Sequence, residues 1–421
     1  MKSFKLLILL LLVTAGLHVK GQTSYSPYSN FGLGNISGPT NSALRSLGGS
    51  SAAFRDYMVI NIDNPASYTA FDTLSFVLDA GISIDSRTFF SVREQTSYTY
   101  GGLNNVNVGF PICKFIKASA GLVPFSELGY SITQTVMDTL IGDMKFGYVG
   151  KGGLSNAYFG LGIEIGPVSI GANASYIFGN LVRSHSLLYP DSTYFFCVKQ
   201  LDELNVSSFY TNTGIQYNAK LSNSMSLCLG ATYAPMMKLN STEYKAAYTY
   251  TETNNIEVLR DTVSLYRGNG GVVLPMKIGG GFMLKKLNTF KILGNFEWQQ
   301  WSKFQAYGID AGTYNDSYKI SLGYEHSPRN SSVSSYFKWI KYRMGAHFEK
   351  CFYTVDENSI NQFGVTVGAC FPIIRSASTV NLAIDVGNRG KRSGKMIQET
   401  YIKATLAFSL YDTWFYRVKY K

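Results

Sequence analysis

The sequence predicts an all-β fold: a transmembrane antiparallel β-barrel of about fourteen strands with an N-terminal plug. Three observations carry that reading. The chain opens on a short apolar segment behind two lysines, no later stretch is apolar enough to cross a membrane as a helix, and period-two alternation recurs along most of the 421 residues.

The opening segment comes first. Lys2 and Lys5 precede the apolar run Leu6 to Leu17, which closes on His18, Val19, Lys20 and Gly21. A membrane helix needs about 20 apolar residues, so this run suits a signal peptide spanning residues 1–21, with the mature chain starting near Gln22. No cysteine stands at the cleavage point, which argues against a lipoprotein. Export to the bacterial outer membrane is the expected destination, and it removes nucleic acid as a partner. The net charge of +11 falls to about +8 without the three lysines of the segment and is spread without a basic block. That distribution suits membrane lipid and lipopolysaccharide.

Composition agrees. A chain of this length would ordinarily make two or three soluble domains. Here 15% charged residues, 30 Tyr, 27 Phe and 41 evenly spread Gly fit one large barrel, in which one face of every strand meets lipid. Cys113, Cys197, Cys228, Cys351 and Cys370 form no CxxC pair. Cys228 and Cys370 read as packed small side chains, and spacing decides no disulfide among the others.

The strand pattern is explicit in several hairpins. Phe159, Leu161, Ile163 and Ile165 share one face against Gly160, Gly162 and Glu164; Gly166 and Pro167 turn the chain; Ile170, Ala172, Ala174, Tyr176 and Phe178 resume the apolar face. Leu274, Met276, Ile278 and Phe282 oppose Lys277, and Ile292, Phe296 and Trp298 oppose Lys291 and Glu297. Ile320 and Leu322 oppose Lys319 and Glu325, Met344 and Phe348 oppose Arg343 and Glu349, Leu382 and Ile384 oppose Asp385, and Ile402 and Leu406 oppose Lys403. Charges keep to one face, as in a barrel with a lipid-facing and a lumenal parity. Parity alone does not distinguish this from a soluble sandwich with the sense reversed; the export segment and the aromatic-ended stripes do. Counting from Thr73 to Leu410 gives thirteen to sixteen strands, depending on whether Ser184–Lys199 and Tyr244–Tyr250 are strands or loop excursions; a closed single-chain barrel needs an even number, and fourteen is the expectation. Such a barrel encloses a lumen that must be filled.

Residues 22–71 precede the first strand and are rich in Ser, Gly, Asn and Pro, with Phe31, Leu33, Leu47, Phe54, Tyr57 and Ile60 among them. They read as the filler, a hatch, with residues 72–421 forming the barrel and a short basic tail. The stretches Ala43-Leu44-Arg45-Ser46-Leu47-Gly48-Gly49, Ala52-Ala53-Phe54-Arg55-Asp56 and Asn64-Pro65-Ala66-Ser67 resemble the N-terminal hatch of the FadL-like long-chain fatty-acid transporter family. Weaker likeness runs through Gly121 to Ser126 and on to Trp414-Phe415. The resemblance implies passive uptake of hydrophobic small molecules, released by hatch rearrangement or through an opening in the wall. The same architecture resembles barrel subunits of secretion or assembly machines, such as the shuttle barrel of the type IX secretion system, whose loops bind envelope proteins.

The site expectations follow. Asn64, Pro65 and Ala66 would fix the hatch turn, since Pro presets φ and Asn bonds nearby backbone. Tyr194, Phe195 and Phe196 with Met236 and Met237 are candidates for an apolar ligand groove. The lumenal charges Glu164, Lys277, Glu297, Glu325, Arg343, Asp385 and Lys403 mix signs, which suits a network holding the filler. No metal spacing, nucleophile elbow or phosphate loop appears, and the expectation is a non-enzyme without cofactor.

Overall fold

The computed structural model describes residues 25–38, 41–91, 94–139, 142–190, 195–253, 256–306, 314–328, 336–374, 376–394 and 396–413. The expected signal segment, Tyr194, and the tail with Trp414, Phe415 and Tyr416 lie outside these residues.

Fourteen antiparallel strands close on themselves. They are β1 (Ser75–Phe90), β2 (Gln95–Pro111), β3 (Ile116–Asp138), β4 (Gly142–Ile165), β5 (Val168–Leu188), β6 (Cys197–Lys220), β7 (Met225–Ala234 continuing as Met237–Thr253) and β8 (Ile256–Leu274 continuing as Lys277–Lys286). Then follow β9 (Phe290–Gln299), β10 (Ser317–His326), β11 (Lys341–Val355), β12 (Asn358–Pro372), β13 (Thr379–Arg389) and β14 (Gln398–Thr413). Closure is a full ladder from Gln398↔Phe90 to Thr413↔Ser75, so the wall leaves no open edge there. The stretches around Ser184 and Tyr244 are outward extensions of β5 to β7, not separate strands.

Alternation sorts the side chains as expected. Phe159, Leu161, Ile163 and Ile165 are exposed, as are Phe282, Ile292, Phe296, Ile320, Leu322, Met344 and Ile402, forming a lipid-facing belt. Glu325, Arg343, Lys291 and Asp385 are buried on the opposite face. One assignment is corrected. Leu274 faces the lumen and is 2% exposed, while Ile278 faces lipid, because Pro275 and Met276 interrupt the strand and shift its alternation by one. Pro235 and Met236 break β7 directly alongside, with Met237↔Leu274 above the break and Ala234↔Lys277 below it. Proline has no N–H to give a ladder, so two adjacent breaks cost the sheet less than two scattered ones.

β1 begins and β14 ends on the same rim, which also carries mostly short turns. By the ordinary construction of such barrels this is the periplasmic rim. At the opposite end β3 to β8 rise well beyond the belt.

The segment Tyr25–Asp72 lies inside. Its 3₁₀ turn Pro65–Ala70 packs on β3 to β6, its helix Ser42–Arg45 on β12 to β14, and its turn Pro27–Asn30 on β3. Contact with strands all round the wall, always on the lumenal parity, is possible only from within. Glycine makes the seat. A Cβ on Gly171 would stand 2.4 Å from the Pro65 backbone, one on Gly230 2.0 Å from the Ala52 carbonyl oxygen, and one on Gly345 2.3 Å from the Gly48 nitrogen. These wall glycines pair across strands, Gly162↔Gly171↔Gly214, Gly230↔Gly281 and Gly323↔Gly345, so smooth tracks form where the backbone approaches closest.

Gly171→Ala and Gly345→Ala are expected to cost about 1–3 kcal/mol each through overpacking. Gly102→Ala, whose Cβ would meet nothing within 4 Å, should be neutral. Thermal unfolding followed by electrophoretic mobility checks this, and equal stability of all three variants would contradict it.

Candidate functional site

The lumen is organised by three sets of side chains. The first is neutral. Asn173 Nδ2 donates to the Ile62 carbonyl at 2.9 Å, Asn212 Nδ2 to the same oxygen at 3.2 Å, and Gln216 Nε2 to the carbonyls of Ala52 and Phe54 at 3.1 and 3.2 Å. Asn295 Oδ1 accepts from the Ala52 amide at 3.1 Å. Thr366 Oγ1 lies 3.0 Å from the Gly48 nitrogen and 3.1 Å from the Ser46 carbonyl. Wall amides and hydroxyls thus take the place of water for a backbone that forms little secondary structure. The sequence reading missed these residues; their only signal was that they share the parity of the charges.

Asn64, Pro65 and Ala66 stand where the turn was expected. Asn64 caps the Pro65–Ala70 turn by accepting from the Ala66 amide at 3.1 Å, and its Nδ2 reaches wall carbonyls of Ile215 and Ala231 at 3.4 Å. Ala66 is fully buried beside Gly171. One asparagine therefore both shapes the segment and ties it to β6 and β7.

The second set is ionic. Asp56 binds Lys291 Nζ at 2.6 Å; Lys291 also meets Glu325 at 3.0 Å, and Glu325 meets Arg343 Nε at 2.7 Å. Lys291, Glu325 and Arg343 are opposed in register or one step apart on β9, β10 and β11. Burial alone would raise the Asp56 carboxyl, but Lys291 and Lys341 with the Lys291 hydrogen bond hold it well below the usual range. Arg55 reaches Glu164 at 3.3 Å together with Thr69 and Ser169. Near the outer end, Arg87 pairs with Asp85 at 2.8 Å and with Glu399, which accepts from Ser26 at 2.8 Å, while Arg389 donates to Asn35 at 3.0 Å.

Lys277, Glu297, Lys319 and Glu349 form an alternating row across β8 to β11, continued by Gln362, Arg389 and Glu399 on β12 to β14. The row from Lys277 to Arg389, with Asp385, Lys403 and Asp63, borders a cavity of about 220 Å³. Burial raises the Asp63 carboxyl, with Lys277 opposing. A second cavity of about 140 Å³ shares Asp63, Lys277 and Glu297 and extends to Val123, Phe125 and Tyr210.

The third set is apolar and borders the first cavity through Trp301, Phe352 and Tyr353. Leu33, Leu128, Leu154, Ile177, Leu181, Val206, Leu239, Val272 and Ile360 pack with Trp301, Phe304, Phe352 and Tyr353 into one buried cluster. Trp301 stacks on Phe352 with centroids 3.8 Å apart.

The proposed groove residues do not converge. Phe195 and Phe196 are exposed in the β5–β6 loop next to Cys197, which pairs with Tyr250. Met236 is exposed at the break in β7 and Met237 pairs with Leu274, roughly thirteen residues down the strand from Tyr250, about 40 Å at about 3.3 Å per residue. Register between a loop and a distant strand is not written in residue order. All five cysteines are free, so no disulfide staples the wall.

Asp56→Asn takes from buried Lys291 one of its two carboxylate partners, Glu325 remaining, and is expected to cost about 1–3 kcal/mol at neutral pH. Because the folded carboxyl titrates below its unfolded value near 3.9, the Asp56 contribution is present above about pH 4 and is lost as pH falls toward the folded pKa. Denaturant unfolding of both proteins at pH 7 and pH 3 checks this: the gap should narrow at pH 3.

The fold resembles solved outer-membrane channels. The Pseudomonas putida toluene transporter TodX aligns over 90% of this chain and 99% of its own with a TM-score of 0.59 at 13% identity. A Pseudomonas aeruginosa FadL homologue gives 0.57 at 12% identity over 90% and 99%. The Ralstonia pickettii toluene transporter TbuX gives 0.55 at 14% over 89% and 98%. No curated protein matches the sequence. At such identities the FadL likeness read from the hatch holds as a likeness of fold, a barrel of the outer-membrane type. The family is shown by a different comparison: the BamG family model matches residues 2–421, and the chain belongs to the BamG family.

Proposed function

We propose that this chain is a filled, non-transporting barrel subunit of an outer-membrane assembly machine, offering its outward extensions to protein partners. The observation that carries this reading is the packing of the lumen: the Tyr25–Asp72 segment is ion-paired and hydrogen-bonded to the wall, and its Tyr28 and Leu33 join Trp301 and Phe352 in one buried apolar cluster. A carrier of apolar cargo needs an apolar path, whereas the 220 Å³ cavity sets Lys277, Glu297, Lys319, Glu349 and Asp385 against Trp301, Phe352 and Tyr353. The strand extensions beyond the belt expose Phe196, Leu259, Val263 and Leu265, side chains that a lone barrel in water has no reason to display. Membership of the BamG family favours this reading. In it the hatch expected at 22–71 is a fixed filler and the Asn64–Ala66 turn an anchor.

A second reading, passive uptake of hydrophobic molecules such as long-chain fatty acids, draws on the fold of the toluene transporters and on one feature of the wall. The β2–β3 ladder joins Val106–Pro111 to Lys117–Leu122 and then ceases among the described residues, with Asn35–Ile36 of the filler pairing to β3 above it. The smaller cavity touches this seam at Val123 and Phe125 and approaches a second lapse between β6 and β7 at Tyr210 and Ala234. A lateral exit would use these seams.

Purification from outer membranes in mild detergent followed by native mass spectrometry separates the two. The leading reading expects a stoichiometric protein complex around a barrel free of apolar ligand. A lone monomer carrying a fatty-acid-like or aromatic molecule would overturn it in favour of uptake.

A further inference from the structure

The short-turn rim carries a repeated arrangement that neither reading uses. In four of its turns a large exposed apolar side chain is the immediate neighbour of an exposed lysine: Lys114-Phe115 between β2 and β3, Lys220-Leu221 between β6 and β7, Lys286-Leu287 between β8 and β9, and Phe337-Lys338 between β10 and β11. The apolar members are 56%, 57%, 56% and 70% exposed. Ile112, Ile165 and Ile374 add bare apolar tips on the same rim. The exposed acids of this rim, Asp72 and Asp412, sit together at the β14–β1 closure, where Asp72 accepts a hydrogen bond from Tyr411 at 2.7 Å. Over the remaining circumference Glu164, beside Ile165, has a side chain 38% exposed but pairs with Arg55 at 3.3 Å, and no ion pair joins Lys114, Lys220, Lys286 or Lys338 to an acid among the described residues.

An apolar tip with an ammonium on a flexible stem beside it matches the boundary between acyl chains and headgroups, where the tip enters hydrocarbon and the lysine snorkels outward. A protein partner would favour one contiguous patch. These pairs are instead spread around the perimeter, each continuing the lipid-facing belt of its own strands. We propose that this rim docks anionic phospholipid of the inner leaflet, each lysine binding headgroup phosphate while its neighbour anchors the turn. Lys114 already lies over the Phe115 ring, 5.4 Å from its centroid, so tip and charge stand within reach of one headgroup. This inference rests on the membrane-spanning barrel and stands apart from either functional reading.

The test uses the full mature chain in nanodiscs containing spin-labelled phosphatidylglycerol or phosphatidylcholine. The expected result is a several-fold higher relative association constant for phosphatidylglycerol, since each lysine near a charged surface contributes about fivefold. The preference should fall with salt and approach unity in the quadruple variant Lys114→Gln, Lys220→Gln, Lys286→Gln, Lys338→Gln. The pair Lys238→Gln, Lys303→Gln at the opposite end should keep it, and heat-modifiable mobility verifies folding of every variant. Equal association of the two lipids, or a preference undiminished in the folded quadruple variant, overturns the proposal. So does a quadruple variant that keeps the preference but loses a co-purifying acidic protein, which would assign the rim to a protein partner.

Discussion

A backbone placed inside a fourteen-stranded barrel must find hydrogen bonds without bulk water, and the architecture of this chain follows from that constraint. The wall meets most of that need with its strand ladders, closed between β14 and β1. The segment within makes few regular elements, so its carbonyls and amides are bonded by Asn173, Asn212, Gln216, Asn295 and Thr366 on the lumenal parity. Those side chains reach the backbone only because it lies close, and it lies close only because Gly171, Gly214, Gly230 and Gly345 leave room. The ion cluster of Asp56, Lys291, Glu325 and Arg343 then fixes the register of segment and wall, since a buried charge displaced from its partner costs several kcal/mol.

Much of this was legible in residue order. Alternation placed the lipid-facing and lumenal faces correctly for Phe159 to Ile165 and for the charges from Lys277 to Lys403, because a strand has a period of two whatever its neighbours do. What failed was whatever depends on register between distant strands. Leu274 lost its assigned face at a proline break whose effect on alternation shows only once Pro235 is seen beside Pro275. Phe195 and Met236 were grouped by chemistry and lie far apart along the wall. The glycines were counted as composition; their role needs to be known from which backbone each one faces.

Family and fold inform different questions. Likeness to the toluene transporters, at 13–14% identity, is a likeness of fold. Membership of the BamG family sets this chain apart from those channels within the same architecture. The lumen of this chain has a salt-bridged polar middle and an apolar cluster toward its outer end.

The central claim is that the Tyr25–Asp72 segment is a fixed part of the folded barrel. Hydrogen–deuterium exchange of the protein in detergent, read by mass spectrometry over peptides covering residues 44–66, tests it most directly. The account predicts protection persisting for hours, comparable with that of the β11 and β12 wall. Exchange complete within seconds while the wall stays protected would show a filler that leaves its seat freely and would contradict the claim.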